Sequence, residues 1–372
     1  MGSPGVAGRW CSSSPTDVSS LVSPDQPKRF DLEGARALLG RQLGMIGAGS
    51  ITHSHIPHWQ SLGWEVSVFA HEGAEALAQR YDLKVHATLD DLLASVQVVD
   101  VCTPSASHGQ LSLRAVRAGV HVVCEKPLAL DFGEALALAA EARMRGLTVL
   151  PAHVVRYFGE YAALQRASSA GALGQLAILR FVRGGSRPTS DWFLDEDQSG
   201  GIVFDLMIHD LDQARWLAGE VSSIYAVQAP ATAAGRVPPE VVAHATLVHD
   251  SGAISQVQAY WGRPGLSFGP SFDVAGSSGR LVSSPTDAVT VFEDLPGQEP
   301  ELSYLPPETA EESPFLSQIK EFASILQSGS TGRVSLMDGV MAVAMAEAAR
   351  ESIRTRRAVD LAPWRELVEE VA

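Results

Sequence analysis

Apolar positions change their rhythm twice along this chain. From residue 42 to about 152, short apolar runs alternate with segments of helical period. "QLGMIG", "EVSVFA", "LKVHA", "VQVVDVCTP", "VHVVCEKP" and "LTVLPAHV" read as strands. Between them "SITHSHIPHWQSL", "EGAEALAQRY", "LDDLLAS", "SASHGQLSLRAVRAG" and "DFGEALALAAEARMRG" read as helices, the last with Gly146 as its stop. Strands apolar on both faces and alternating with helices predict a parallel sheet covered on both sides.

Beyond residue 152 the pattern predicts an α+β region running to 372. "VVRYFGEYAALQRASSAGALG" reads as helix, "QLAILRFVRG" as a long strand and "GGIVFDLMIHDLDQARWLAG" as a strong helix. The pieces "VSSIYAVQAP", "VVAHATLVHD", "GAISQVQAYW", "PSFDVAGSSGRLVSS" and "AVTVFED" follow at meander spacing, predicting an open-faced, mostly antiparallel sheet. Two helices finish the chain, the first opened by Ser313-Pro314. Residues 1–41 are rich in Ser, Pro and Gly and predict a disordered tail, with "DLEGARALLGRQ" as a short helix at its end.

Bulk properties narrow the possible partners. A chain of 372 residues with 45% apolar composition suits two cores. A net charge of -15 argues against nucleic acid or an anionic membrane surface as a partner. No apolar run reaches spanning length. Cys11, Cys102 and Cys124 form no disulfide framework and suit a reducing, cytoplasmic compartment.

The first strand runs into "GMIGAGSIT", a Gly47-x-Gly49-x-x-Thr52 loop that opens the first helix. In that context it predicts a dinucleotide site: Gly47 makes the tight turn, Gly49 admits the pyrophosphate, and Ser50 and Ile51 lead into the helix N-terminus. Thr52 replaces the third glycine, which governs only helix–strand closeness. At the end of the second strand an acid would bind the adenosine ribose, but Ala70 stands there, followed by His71 and Glu72. The missing acid points to NADP, with His71 near a 2′-phosphate. Glu72, shifted by a residue or two, keeps NAD open.

"MIGAGSITHSHIP", "VVDVCTPSASH", "HVVCEKPLAL", "GGIVFDLMIHDLD" and "SLMDGVMAVAMAEAARESI" come in the order and spacing of the Gfo/Idh/MocA oxidoreductases, and the chain resembles that family from about Gln42 to about Leu361. The resemblance implies a Rossmann domain binding NAD(P) and a C-terminal α+β domain facing substrate. It implies hydride transfer to or from a hydroxyl-bearing carbon of a sugar, cyclitol or related polyol. A catalytically silent dinucleotide-binding regulator and an NAD-dependent glycoside hydrolase are the alternatives. Glu125-Lys126-Pro127 falls on the family's Glu-Lys-Pro motif, often with a cis Lys-Pro bond. Lys126 is then expected at the substrate oxygen and Glu125 at the nicotinamide ribose. Asp205 and His209 map onto the acid–histidine pair, with His209 as base and Asp205 orienting either His209 or Lys126.

Asp205 and His209 are four apart and share a helix face, where a carboxylate favours the protonated imidazole. Asp212 and Trp216 continue that face. Thr103 and Pro104 are expected to line the dinucleotide; His108 either does so or caps a turn. His153, Arg156 and Tyr157 lie where family members approach substrate, Arg156 alternatively in a structural ion pair. Trp192 shapes the pocket or anchors its loop, Asp210 is solvated or structural, and Asp195-Glu196-Asp197 read as a solvated turn. "HSHIPH" lacks the cysteine or carboxylate set that would complete a zinc site, so no metal is expected. The exposed sheet face calls for cover, predicting a homodimer or homotetramer.

Overall fold

The computed structural model describes residues 40–284 and 312–372. The tail helix expected at "DLEGARALLGRQ" and the strand expected at "AVTVFED" fall outside the described residues, apart from the last three positions of the former.

The first unit follows the alternation of the sequence. Strands β1 (Gln42–Ile46), β2 (Glu65–Phe69), β3 (Lys84–Val85), β4 (Val98–Val101), β5 (His121–Glu125) and β6 (Val149–Ala152) are joined by helices α1 (Thr52–Ser61), α2 (Ala74–Tyr81), α3 (Leu89–Ser95), α4 (His108–Arg117) and α5 (Phe132–Arg145). All strand pairs are parallel, in the order β3-β2-β1-β4-β5-β6. The order reverses between β1 and β4, and a crevice at their carboxyl ends follows from the topology. Helix ends match their sequence signals: Asp131 accepts from the Glu134 N–H at the start of α5, and Gly146 ends it at φ 65°.

The second sheet differs from a plain meander. Its strands are β7 (Leu176–Ser186), β8 (Val221–Ala229), β9 (Val241–His249), β10 (Ile254–Gly262), β11 (Ser271–Gly276), β12 (Arg280–Ser283) and the short β13 (Val359–Asp360). Their order is β12-β11-β7-β10-β9-β8-β13. β7 inserts between β10 and β11 and runs parallel to β10, while every other pair is antiparallel.

The helices of this region also depart from the expected runs. Residues 154–174 split into a 3-10 turn at Val154–Tyr157 and α6 (Gly159–Ser169), separated by extended Phe158. The loop expected to be irregular before Asp205 holds the short α7 (Glu196–Ser199), capped by Asp195, whose carboxylate accepts from the Asp197 N–H. A π-helical turn, Val203–Met207, then leads into α8 (Ile208–Ala218).

The last helices, α9 (Pro314–Ser328), α10 (Leu336–Thr355) and α11 (Ala362–Val371), tie the two sheets together. Ile319, Phe322 and Leu326 of α9 share a core with Leu43 and Met45 of β1 and with Ile56 and Trp59 of α1. α10 packs against α5, α8 and β8. Gly339 in α10 lies so close to β6 that a Cβ would stand 2.5 Å from a Pro151 side-chain carbon. No helix among the described residues is long and apolar enough to cross a membrane. Cys102 and Cys124 are buried free thiols.

Buried ion pairs fix α8. Arg183 on β7 makes a bidentate contact with Asp210, at 2.9 and 2.7 Å, and donates to the Tyr161 hydroxyl at 3.0 Å. Both charged side chains are almost wholly buried, so Asp210 is structural and not solvated. Asp210→Ala leaves an uncompensated guanidinium in the core and should cost about 3–5 kcal/mol. A denaturant titration checks this, with the exposed Glu351→Ala as a control that moves the midpoint little.

Candidate active site

The dinucleotide loop sits where β1 hands over to α1. Gly47 adopts φ 113°, and a Cβ there would lie 2.5 Å from the Cys102 carbonyl oxygen, so the turn requires glycine. Gly49 is different. A Cβ on it would meet only the Cys102 oxygen, at 3.9 Å. The protein's own packing does not require glycine at 49, and the space in front of it suits a close backbone approach by a ligand. Gly49 and Ser50 are exposed, Ile51 is half-buried, and no side chain caps α1. The N–H groups of Thr52, His53 and Ser54 donate to the Gly49, Ser50 and Ile51 carbonyls, so a pyrophosphate would meet the loop that precedes them, at the positive end of the helix. Thr52, at the third glycine position, is buried and donates its hydroxyl to the Gly49 carbonyl at 2.6 Å. These residues fit a dinucleotide.

At the end of β2, Ala70 is half-buried, and His71 and Glu72 are exposed. After β4, Thr103 bonds the Ser107 hydroxyl at 2.7 Å and Pro104 is exposed. His108 is buried with Nδ1 2.7 Å from the Pro127 oxygen and Nε2 2.7 Å from the Thr103 oxygen. It thus ties the loop after β4 to the loop after β5, and both ring nitrogens are occupied by main chain.

The Lys126–Pro127 peptide is cis. Glu125 is buried at the end of β5, with one carboxylate oxygen 3.2 Å from the Lys126 N–H. Lys126 reaches across to the π-helical turn, where its Nζ donates to the Asp205 main-chain oxygen at 2.6 Å and to the Asp205 carboxylate at 3.2 Å. Single π turns inside α-helices occur often at functional sites. Of the two orienting roles open for Asp205, its contact is with Lys126.

His209 lies one turn further, buried, with its Nδ1 lacking any hydrogen-bond partner. Burial, then the positive charges of Lys126 and Arg183 and the nearby His153, hold its pKa well below the ordinary imidazole value. The sequence pattern suggests a carboxylate-stabilised imidazolium; the cations that act on this ring favour its neutral form. A neutral buried imidazole beside a fixed ammonium suits proton acceptance.

The candidates for the substrate side separate. His153 is buried with both ring nitrogens unpartnered, and its Nδ1 lies 3.7 Å from an Asp212 carboxylate oxygen. Arg156 is committed elsewhere. It clasps Asp212 at 2.8 and 2.5 Å, reaches Asp338 at 3.2 Å and the Arg333 carbonyl at 2.5 Å, and lies over the Trp216 ring. These bonds engage Nε, Nη1 and Nη2, which places Arg156 in a structural ion-pair network. Asp212 and Trp216 accordingly serve Arg156. Tyr157 donates to Glu321 on α9 at 2.8 Å and packs edge-on against Phe322, which commits it to the join between units. Trp192 is half-buried and stacked on Phe193 at 3.8 Å between centroids.

Sequence reasoning missed two buried groups. Arg183 shares the core-facing parity of Leu179 and Phe181 on β7, a period-two signal that was available. His55 is fully buried inside the sheet–helix layer, where Asp100 interrupts the apolar run of β4. Asp100 accepts from His55 Nδ1 at 2.8 Å, Trp59 Nε1 at 2.8 Å and the Cys102 thiol at 3.4 Å. His55, Asp100 and Cys102 place potential metal-ligand atoms within 4.8 Å of one another, but these hydrogen bonds already pair them.

Comparison with known proteins agrees with this geometry. Residues 41–153 match the model of an oxidoreductase family with an NAD-binding Rossmann fold, and residues 161–282 match the GFO/IDH/MocA C-terminal domain. A myo-inositol 2-dehydrogenase of Thermotoga maritima is 26% identical over 338 residues, covering 86% of this chain and 98% of the relative. A D-apiose dehydrogenase of Paraburkholderia graminis is 26% identical over 368 residues, covering 94% of each. Among solved structures, GenD2 from gentamicin A biosynthesis in complex with NAD superposes with a TM-score of 0.76 at 25% identity, covering 87% of this chain and 97% of that one. One family model falls on each of the two sheets that Lys126 and Asp205 join, and the chain belongs to the Gfo/Idh/MocA oxidoreductases.

Proposed function

We propose that the chain is a dinucleotide-dependent dehydrogenase of a hydroxyl-bearing carbon in a sugar, cyclitol or related polyol. The observation that carries this reading is the Lys126 ammonium, brought from the parallel sheet onto Asp205, with neutral His209 one turn away. The relatives named for myo-inositol and D-apiose support the substrate class. A bound dinucleotide supplies the hydride acceptor or donor. In the oxidation direction His209 takes the hydroxyl proton. Lys126, held by Asp205, stabilises negative charge developing on that oxygen. The unpartnered ring nitrogens of His153 serve a neighbouring hydroxyl. Glu125 meets the ribose of the nicotinamide half, and Thr103 and Pro104 line the dinucleotide, with His108 bracing both loops.

Lys126→Ala and His209→Ala should each lower kcat by about 10²–10⁴-fold while dinucleotide affinity changes less than about threefold. A sugar and polyol panel followed at the nicotinamide absorbance, with parallel calorimetry of dinucleotide binding, measures both. Because the His209 pKa lies well below the ordinary value of 6.5, the ring is already the base at neutrality. The acid limb of kcat/KM should therefore fall below that pH, and a limb at or above it would rule out His209 as the base.

For the dinucleotide we favour NADP, since Ala70 offers the ribose diol no carboxylate and exposed His71 adjoins the place of a 2′-phosphate. Ala70→Asp should lower the NADP-to-NAD ratio of kcat/KM by about tenfold or more. Unchanged preference in that variant would move the discrimination away from the end of β2.

The second sheet also supports self-association. Tyr225 and Val227 on β8, Val242 and Val248 on β9 and Ile254 on β10 leave large side chains exposed, with Val248 opposite Ile254. A second copy covering this face gives the homodimer or homotetramer. Val248→Glu with Ile254→Glu should reduce the mass in light scattering to one chain, and a wild-type chain that is monomeric at micromolar concentration would refute the arrangement.

A further inference from the structure

His55 stands between two carboxylates. Its Nδ1 is 2.8 Å from Asp100 Oδ2, and its Nε2 is 3.2 Å from Glu125 Oε1. Neither Nε2 nor Glu125 Oε1 has an aligned hydrogen-bond partner. Glu125 Oε2 is occupied by the Lys126 N–H. The rest of the shell is closed: Trp59 and the Cys102 thiol complete Asp100, and the Phe315 ring of α9 lies 5.9 Å from the imidazole. Asp100 fixes the ring through Nδ1, and the fixed Nε2 faces the Glu125 carboxylate at 3.2 Å.

We propose that His55 is a positioning residue, a bridge from Asp100 that holds the Glu125 carboxylate at the end of β5 in place for the ribose of the dinucleotide. The inference rests on the dinucleotide reading above and adds a residue to it. Burial opposes charge on this ring, but the Asp100 carboxylate beside it outweighs that and raises its pKa well above the ordinary value. The arrangement also accounts for Asp100. A carboxylate in the middle of a fully buried parallel strand is costly unless paired, and here it anchors a chain of contacts that ends at the site. Asp100, His55 and Glu125 come from β4, α1 and β5, so the bridge fixes three carboxyl-end elements relative to one another.

The test is a double-mutant cycle on dinucleotide binding, read by calorimetry with NAD and NADP on the full chain. His55→Asn puts an amide near the Nδ1 position, keeping Asp100 and losing Glu125. His55→Gln puts it near the Nε2 position, keeping Glu125. We expect His55→Asn and Glu125→Gln each to weaken binding by about tenfold, the scale of one charged hydrogen bond. The double variant should be no more than about twofold worse than either, and His55→Gln should recover most of the loss. Thermal melts of each variant separate misfolding from lost positioning. Should His55→Asn fail to fold, the cycle is run with His55→Leu: a loss shared with Glu125→Gln supports the bridge, and wild-type affinity overturns it. Wild-type affinity in folded His55→Asn, or independent penalties that multiply in the double variant, overturns the bridge. Stoichiometric metal retained by the purified protein through chelation overturns it too, reassigning His55, Asp100 and Cys102 as ligands. If the wild-type chain binds neither dinucleotide, the reading of function itself fails.

Discussion

At the candidate site, one ammonium links the two halves of this protein. Lys126 leaves the carboxyl end of β5 and docks on the main-chain oxygen and carboxylate of Asp205, 79 residues later. A lysine so placed loses side-chain entropy and hydration; two oxygens from one residue offset that and fix Nζ in space. The sheet that carries the Gly47–Thr52 loop and the helix that carries His209 thereby acquire a common reference point. Every chemical statement about the site depends on this contact, because without it the ammonium and the imidazole belong to separate units.

Keeping α8 in register takes further buried charge. Asp210 is clasped by Arg183, and Asp212 by Arg156. Arg156 continues to Asp338, which also pairs with Arg215 and closes a capping box with Ser335 at the start of α10. Burial works against the Asp338 charge, but Arg156, the Ser335 backbone and Arg215 bring its pKa down to about 2. Buried pairs are weak evidence of net stability. Their consequence here is directional: two bidentate arginines leave the polar side of α8, which carries His209, little freedom to rotate.

Local signals were legible and distant partnerships were not. The strand–glycine–helix succession, Asp131 and Gly146 at the ends of α5, and Ser313-Pro314 at the start of α9 depend on neighbours within a few residues, and a sequence displays those. The partners of Arg156 and Tyr157 were hidden because Asp338 and Glu321 lie 182 and 164 residues away. Nothing local separates an arginine that meets substrate from one that meets a helix cap. The π turn at Val203–Met207 was equally hidden, since the apolar spacing of "GGIVFDLMIHDLDQARWLAG" suits an ordinary helix. His55 is one of three histidines in "HSHIPH", and nothing in that spacing shows that it is fully buried while His53 is exposed. The Asp100 within an apolar strand was the available clue, because a buried carboxylate demands donors.

The charge distribution bears on how such a site would work in an acidic protein. The chain carries a net charge of -15, yet the groups acting on His209 are cationic. A lowered pKa makes the imidazole a weaker base, which by itself slows proton abstraction. The same ammonium that lowers it lies where it would favour ionisation of a bound hydroxyl, so base and substrate acidity shift in the same direction. The cost to one is offset by the gain to the other. What remains is a base that does not compete with solvent protons near neutrality. Exchanging Lys126 for a neutral side chain would remove both effects together, and for that reason the roles of Lys126 and His209 in the proposed reaction are not separable into independent contributions.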